Sequence, residues 1–166
     1  MSNVKYEVEL YQPMCVWLQQ KLTDIYRGQK CQIIVEDSHA ITLDKVLTQH
    51  NLIDQYPQAV GLDIQIDVTG IVIFPHKSEL FFIEAKKNAL TLHDLGQLWA
   101  YCKLIDPQGA YLLSSHSLGC LDKILKNLGR EDMLDFGKQK TIKKMCVGKW
   151  DVIRKTIDSN SVVPKI

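Results

Sequence analysis

The chain holds no C-x-x-C pair and no H-E-x-x-H or H-x-x-x-H pattern, so the spacings that build zinc sites from Cys and His are missing. Any metal is therefore expected to be held by oxygen. The five cysteines, Cys15, Cys31, Cys102, Cys120 and Cys146, are odd in number and scattered, which argues for reduced, mostly buried thiols rather than a disulfide framework. Nor does any apolar run approach the ~18 residues of a membrane span. The opening Met1-Ser2-Asn3-Val4-Lys5 leads into charge rather than a signal-type hydrophobic stretch, and a cytoplasmic protein with no membrane partner is expected. Internal repeats and low-complexity tracts are missing as well, which disfavours solenoids and disordered linkers.

What is present is an ordinary globular composition, 46% hydrophobic and 23% charged over 166 residues, enough for one domain with one core. The net charge of +1 hides an asymmetry: residues 1–83 carry 6 Lys+Arg against 10 Asp+Glu, and residues 84–166 carry 14 against 9. The basic excess gathers in Lys138, Lys140, Lys143, Lys144, Lys149, Arg154 and Lys155, interrupted only by Asp151. Such a run is either a solvated face or a patch for a polyanion, where each lysine meeting a phosphate releases counterions.

Apolar spacing predicts a first helix over residues 6–26, with Pro13 early enough to be tolerated and Gly28 ending it. Residues 32–36 have the β-branched density of a strand, and residues 40–56 read as weakly helical or irregular. Strict alternation over residues 62–69 predicts a strand buried on one face, with Gly70 permitting a bulge and continuation to Phe74. Pro75 to Ser78 forms a turn, and residues 80–86 return as the second arm of a hairpin. Thr91 and Asp94 make a capping box for a helix to about Leu104, with Leu95, Leu98 and Cys102 inward. A strand over 110–114, a helix over 118–128, a last strand and helix sharing 140–157, and a frayed tail after Asp158 complete the expectation.

With the turn centred between His76 and Lys77, Asp67 lies opposite Lys86 and Thr69 opposite Glu84, so Asp67, Glu84 and Lys86 project from one face. As a surface salt bridge this group is worth at most about 1 kcal/mol. Its neighbours argue for more, because Ile64, Ile66 and Val68 surround Asp67, and Phe81-Phe82-Ile83 precede Glu84. Two carboxylates suit a hard divalent ion that bridges to phosphate, and a neighbouring lysine can neutralise charge that develops in a transition state.

Asp67, followed after sixteen residues by Glu84-Ala85-Lys86, resembles the signature of the PD-(D/E)XK nuclease superfamily, although Ile66 stands where the fullest pattern has proline. Gln97-Leu98-Trp99-Ala100-Tyr101 is similar to the Q-x-x-x-Y motif of RecB-type nucleases, and positions i and i+4 share a helical face. The resemblance implies an α/β fold with a restriction-endonuclease-like core, a central mixed β-sheet flanked by α-helices. It implies one domain over residues 1–166, with its core at about 6–115 and a basic C-terminal extension at about 116–158. It further implies Asp67 and Glu84 as metal ligands with the Ala85 carbonyl, and Lys86 assisting the attacking water. Glu9 would be the additional acidic residue, with Glu7 as fallback and Asp63 as the alternative strand ligand, and Gln97 and Tyr101 would lie near the site. The implied cofactor is Mg²⁺, with Mn²⁺ able to substitute. The expected activity is hydrolysis of DNA phosphodiesters, as a restriction-type endonuclease or its catalytic subunit, with Lys138, Lys140, Lys143 and Lys144 on the DNA. A homodimer, or a heteromer with another nuclease or recognition subunit, would supply the second strand break. The alternatives are a non-cleaving nucleic-acid-binding or partner-binding domain of the same fold, and a resolvase or repair nuclease.

Overall fold

In the computed structural model, which describes residues 4–138 and 140–165, the apolar strands assemble into a mixed sheet with helices on both faces. A 3₁₀ turn (Glu7–Leu10) leads into α1 (Tyr11–Ile25). Pro13 is the third residue of this helix, where its missing N–H leaves no bond unmade. Strands β1 (Gln32–Asp37), β2 (Val68–Ile73) and β3 (Ser78–Lys86) form an antiparallel meander, with α2 (Leu43–Gln49) lying between the first two in sequence. Helix α3 (Leu92–Ile105) then returns the chain so that β4 (Gly109–Ser114) runs parallel to β3. Helix α4 (Cys120–Asp122) continues as a π-helical turn over Lys123–Asn127, and β5 (Asp135–Lys138) and β6 (Thr141–Lys144) form a separate hairpin. β7 (Cys146–Asp151) lies parallel to β4, and β8 (Thr156–Ile157) closes the order β1-β2-β3-β4-β7-β8.

Alternation along the strands divides the core in two. One face buries Val68, Val72, Phe81, Ile83, Leu113 and Trp150 against Met14, Leu18 and Leu22 of α1. The other buries Ile71, Phe82 and Leu112 against α2 and α3, through residues such as Val46, Leu95, Leu98 and Cys102. Each fully buried leucine contributes roughly 1.5–3 kcal/mol of transfer free energy. The Thr91–Asp94 capping box forms as the sequence implies, with each residue bonding the other's backbone amide.

Several expectations need correction. Residues 62–67 alternate but do not join the sheet: Asp63 takes φ 53°, and the Ile64 carbonyl accepts from the Leu43 amide. Ile64 and Ile66 are buried without a partner strand, which accounts for the period-two pattern. Gly70 makes no bulge, since it pairs in register with Val35 and Phe81. It is glycine because α1 lies on it; a Cβ there would sit 3.0 Å from Leu18 Cδ2 and 3.1 Å from Leu22 Cδ1. The hairpin turn spans Phe74 to Lys77, whose carbonyl accepts the Phe74 amide, and Val68 pairs with Ile83 and Thr69 with Phe82. The register is thus two residues from the one expected, and an even shift keeps every side chain on its face.

At the C-terminal end, residues 140–157 contain strands and no helix among the described residues. No frayed tail follows Asp158, because Val162 and Val163 are buried and Val163 pairs with Val147. What the sequence suggests as an extension therefore completes both halves of the core, through Leu121, Phe136 and Val147 on one face and Trp150 and Val162 on the other. All five cysteines are free, but only Cys15 and Cys102 are buried, while Cys120 is exposed.

Candidate metal centre at the end of the β2–β3 hairpin

Asp67 is the last residue before β2, and the end of β1 pins its backbone. The Ser38 amide donates to the Asp67 carbonyl (2.9 Å), and the Ser38 hydroxyl donates to the Ile66 carbonyl (2.5 Å) while lying 2.7 Å from the Thr69 hydroxyl. The Asp67 carboxylate then takes the place of a further ladder residue, with Oδ2 accepting the Ala85 amide at 2.9 Å. An extended residue presents its N–H and C=O to the same neighbour, so the Ala85 carbonyl also faces the Asp67 side.

Glu84 is 6% exposed and lies in β3 between Phe82 and Lys86 on the α3 face. Its Oε1 is buried and has no hydrogen-bond partner among the described residues. Burial pushes the Glu84 carboxyl well above the usual carboxylate range, the Asp67 charge pushes the same way, and Lys86 opposes both. Asp67 is raised as well, first by burial and then by Glu7, against the pull of the Ala85 amide and the Lys86 ammonium. A buried carboxyl and a half-buried one beside one cation leave an orphaned oxygen and two groups that give up their protons less readily than usual. That donor set fits a hard divalent ion completed by water or phosphate. Among the described residues no group of three or more His, Cys, Asp or Glu converges to form an all-protein cage.

Of the two acidic candidates near the start of α1, the structure turns Glu7 rather than Glu9 toward the end of β3. Glu9 is exposed, and its carboxylate folds back onto the Tyr6 amide (2.5 Å) as part of a capping box. Glu7 instead faces β3, accepting the Lys87 amide at 3.2 Å. The physical reason is the 3₁₀ turn, whose tighter winding redirects side chains that an α-helix would aim elsewhere. Asp63 is exposed, in a left-handed conformation outside the sheet. Gln97 and Tyr101 share a helical face and bond to each other, Nε2 to hydroxyl at 3.1 Å. No hydrogen bond among the described residues joins that pair to Asp67, Glu84 or Lys86. One turn along α3 from Leu98, the Cys102 thiol is pushed up to about 12, chiefly by burial, with Lys143 opposing and Asp106 and Glu84 adding.

Tyr11 also borders the site, a residue that the sequence did not single out. Its pKa is raised by burial first and then by the Asp67 and Glu7 charges beside it. Its ring packs on His39 (centroids 4.8 Å apart), and His39 Nδ1 lies 2.5 Å from Asp37 Oδ1. The available signal was spacing, since Tyr11 follows Glu7 by four residues.

The lysine run divides into two kinds. Lys143 Nζ lies 2.8 Å from Asp106 Oδ1 and donates to the Pro107 carbonyl (2.7 Å), with the Phe136 ring beneath it. Lys144 Nζ lies 2.5 Å from Asp135 Oδ1. Adjacent strand residues point to opposite faces, so these two cannot form one open phosphate surface as expected. Lys138 and Lys140 are exposed and form no ion pair among the described residues.

Compared with protein-family models, curated proteins and solved structures, the chain finds no match. No helix among the described residues is long and apolar enough to cross a membrane.

Proposed function

We infer that the protein is a Mg²⁺-dependent deoxyribonuclease with a restriction-endonuclease-like core, hydrolysing DNA phosphodiester bonds by direct attack of water. The observation that supports this most is Glu84: a buried carboxylate with an unpartnered oxygen, facing a second carboxylate. A purely structural pair would satisfy that oxygen, because an unmet buried polar group costs about 1–3 kcal/mol and a charged one more.

Asp67, Glu84 and the Ala85 carbonyl would hold the ion, which when bound polarises the phosphodiester and lowers the pKa of a water molecule. The Ala85 amide fixes the Asp67 carboxylate, and Glu7 ties the segment after Lys86 to the start of α1. Lys86, close enough to depress both carboxyl pKa values, orients the attacking water and neutralises charge that develops on phosphate oxygens. The leaving 3′-oxygen takes a proton from solvent, and no covalent intermediate forms. A restriction-type endonuclease, acting as a pair of chains or with a recognition subunit, is the form of the activity we favour.

The test is incubation of the purified protein with supercoiled, linear, single-stranded and branched DNA in Mg²⁺, Mn²⁺ or EDTA. Cleavage in either metal and none in EDTA is expected. Salt-sensitive DNA binding without cleavage in any metal would replace this reading by the non-cleaving one.

A further inference from the structure

The row of residues that ends in Lys86 continues across the sheet into a polar cleft. Lys86 pairs with Ser114 in the β3–β4 ladder, and Ser114 pairs with Lys149 in the β4–β7 ladder. With strands roughly 4.8 Å apart, Lys149 stands about 10 Å from Lys86 on the same face. Beyond this row opens a cleft of about 400 Å³ whose walls include His116, Ser117, Asp122, Lys126, Lys149 and Ser161.

The cleft wall is fastened to the chain that follows Lys86. The buried Ser114 hydroxyl donates to the Asn88 carbonyl (2.6 Å) and accepts the amides of His116 (3.0 Å) and Ser117 (3.3 Å). The Ser115 amide donates to the Lys86 carbonyl at 2.9 Å, and the Leu90 amide to the Ser117 carbonyl at 3.1 Å. Gly119, at φ 55°, lets the loop press so close that a Cβ there would lie 2.3 Å from the Leu90 oxygen. Any displacement of the cleft would therefore pull on the strand end that bears Glu84 and Lys86.

The charge of the cleft is positive and partly unmatched. Asp122 is engaged by Lys126 at 3.0 Å. Lys149 forms no ion pair among the described residues, and nearby Asp151 gives its Oδ1 to the amides of Ile153 and Arg154. The Ser161 hydroxyl is occupied in bracing β7, accepting the Lys149 amide at 2.8 Å. The ammonium of Lys149 remains to receive an anion, beside the His116 ring, whose Nδ1 lies 3.2 Å from the Ser117 hydroxyl, and that hydroxyl, which accepts the Gly119 amide at 3.3 Å.

We propose that this cleft is a phosphate subsite, which holds a backbone phosphodiester of the DNA strand a few nucleotides from the bond at Glu84 and Lys86. The proposal rests on the nuclease reading for its ligand. Contacts of this kind carry no base information and position the strand. The subsite lies on the side of Lys86 away from Asp67, so it sets the direction in which the strand runs across the sheet.

The experiment measures binding of a fluorescent DNA duplex in EDTA across a salt series. Lys149→Ala is expected to weaken binding on every sequence and to lower the slope of log K against log salt by about one unit. Lys149→Arg should keep both, and Lys30→Ala, at the opposite end of the sheet, should change neither. Unchanged slope and affinity in Lys149→Ala, with a wild type that binds and cuts DNA, would overturn the subsite and leave the nuclease reading standing. A reduced slope in a protein that cuts nothing would support the subsite and remove the nuclease. A wild type that binds no DNA would remove both.

Discussion

Two regions of the molecule carry clustered charge, and they treat it in opposite ways. In the β5–β6 hairpin and its surroundings, Lys143 and Lys144 each meet one carboxylate, Asp106 and Asp135, at a partly exposed position; Asp106 Oδ1 is buried without a hydrogen bond, but the Lys143 ammonium 2.8 Å away balances its charge. At the end of β2 and β3, Asp67 and Glu84 face each other in an apolar setting with Lys86 beside them, and one Glu84 oxygen has no partner. Matched, half-wet pairs cost the fold little and add little. An unmatched buried carboxylate costs several kcal/mol, and a fold keeps it only where something else uses it. The contrast separates charges balanced by a nearby partner from a cluster that the nuclease reading would put to use.

The largest effect should come from the cation in the unmatched cluster. Lys86→Ala is expected to lower DNA cleavage by about 10²–10³-fold, the cost of removing one preorganised transition-state contact, while metal and DNA binding persist. Single-turnover cleavage at saturating DNA checks this, and wild-type turnover would return Lys86 to the class of Lys143 and Lys144.

The carboxylates are tested by metal. Saturating Mg²⁺ or Mn²⁺ should raise the Tm, because an ion that binds only the native state stabilises it by about 2.7 kcal/mol at 100 times its Kd. Asp67→Ala should abolish the shift. A metal response unchanged in that variant would discard Asp67 as a ligand.

Much of this contrast was legible in the sequence, for identifiable reasons. Isolated charges inside Phe81-Phe82-Ile83-Glu84-Ala85-Lys86 are conspicuous in any register, and the even two-residue slip left Asp67, Glu84 and Lys86 on their predicted faces. The choice between Glu7 and Glu9 was not legible, because it depends on a 3₁₀ turn that periodicity does not distinguish from the first turn of α1. The pairing of Lys143 with Asp106 spans 37 positions of chain and is set by packing of the hairpin beside α3, which no local pattern encodes. Residues 62–67 misled because burial of Ile64 and Ile66 alone reproduces the alternation of a strand. A strand and a helix were expected to share residues 140–157, where the described residues form strands alone, and the one at Cys146–Asp151 pairs with β4.

On the matched side, Lys143→Met should destabilise the fold by about 1–2 kcal/mol, since it strands the half-buried Asp106 carboxylate. Asp106→Asn combined with Lys143→Met should recover part of that loss. Denaturant unfolding of the two variants measures it. A Lys143→Met protein as stable as wild type would make Lys143 a free cation again.

A smaller effect, with a definite sign, concerns Glu84 in the metal-free protein. Its carboxyl titrates higher in the native state than in the unfolded chain, so the native state binds more protons between the two values. Stability is full below the unfolded value, roughly pH 4.3, and is lost as pH rises through the native one. Glu84→Gln removes this loss. Variant and wild type should melt together near pH 4, and the variant should melt increasingly higher than wild type as pH rises toward 8. Melting in EDTA from pH 4 to 8 is the measurement, and parallel curves would show that Glu84 is not held neutral by its surroundings.

The smallest effect isolates what is left of the basic patch once its matched lysines are set aside. Lys138 and Lys140 are the exposed members of the run at the β5–β6 turn, and neither forms an ion pair among the described residues. Their replacement should shift stability by no more than about 0.5 kcal/mol, as for surface positions without partners. Their charges are available to DNA, whereas that of Lys144 is already balanced by Asp135, so counterion release should distinguish them. The double variant Lys138→Ala, Lys140→Ala should lower the salt slope of DNA binding by roughly 1–2 units, and Lys144→Ala should leave it unchanged. Equal losses in both would mean that the Asp135 pair opens on DNA, so that a matched surface pair is no barrier to recruitment of its lysine. No loss in either would confine phosphate contact to the sheet end near Lys86 and Lys149, and would class the whole hairpin with the charges that serve only the fold.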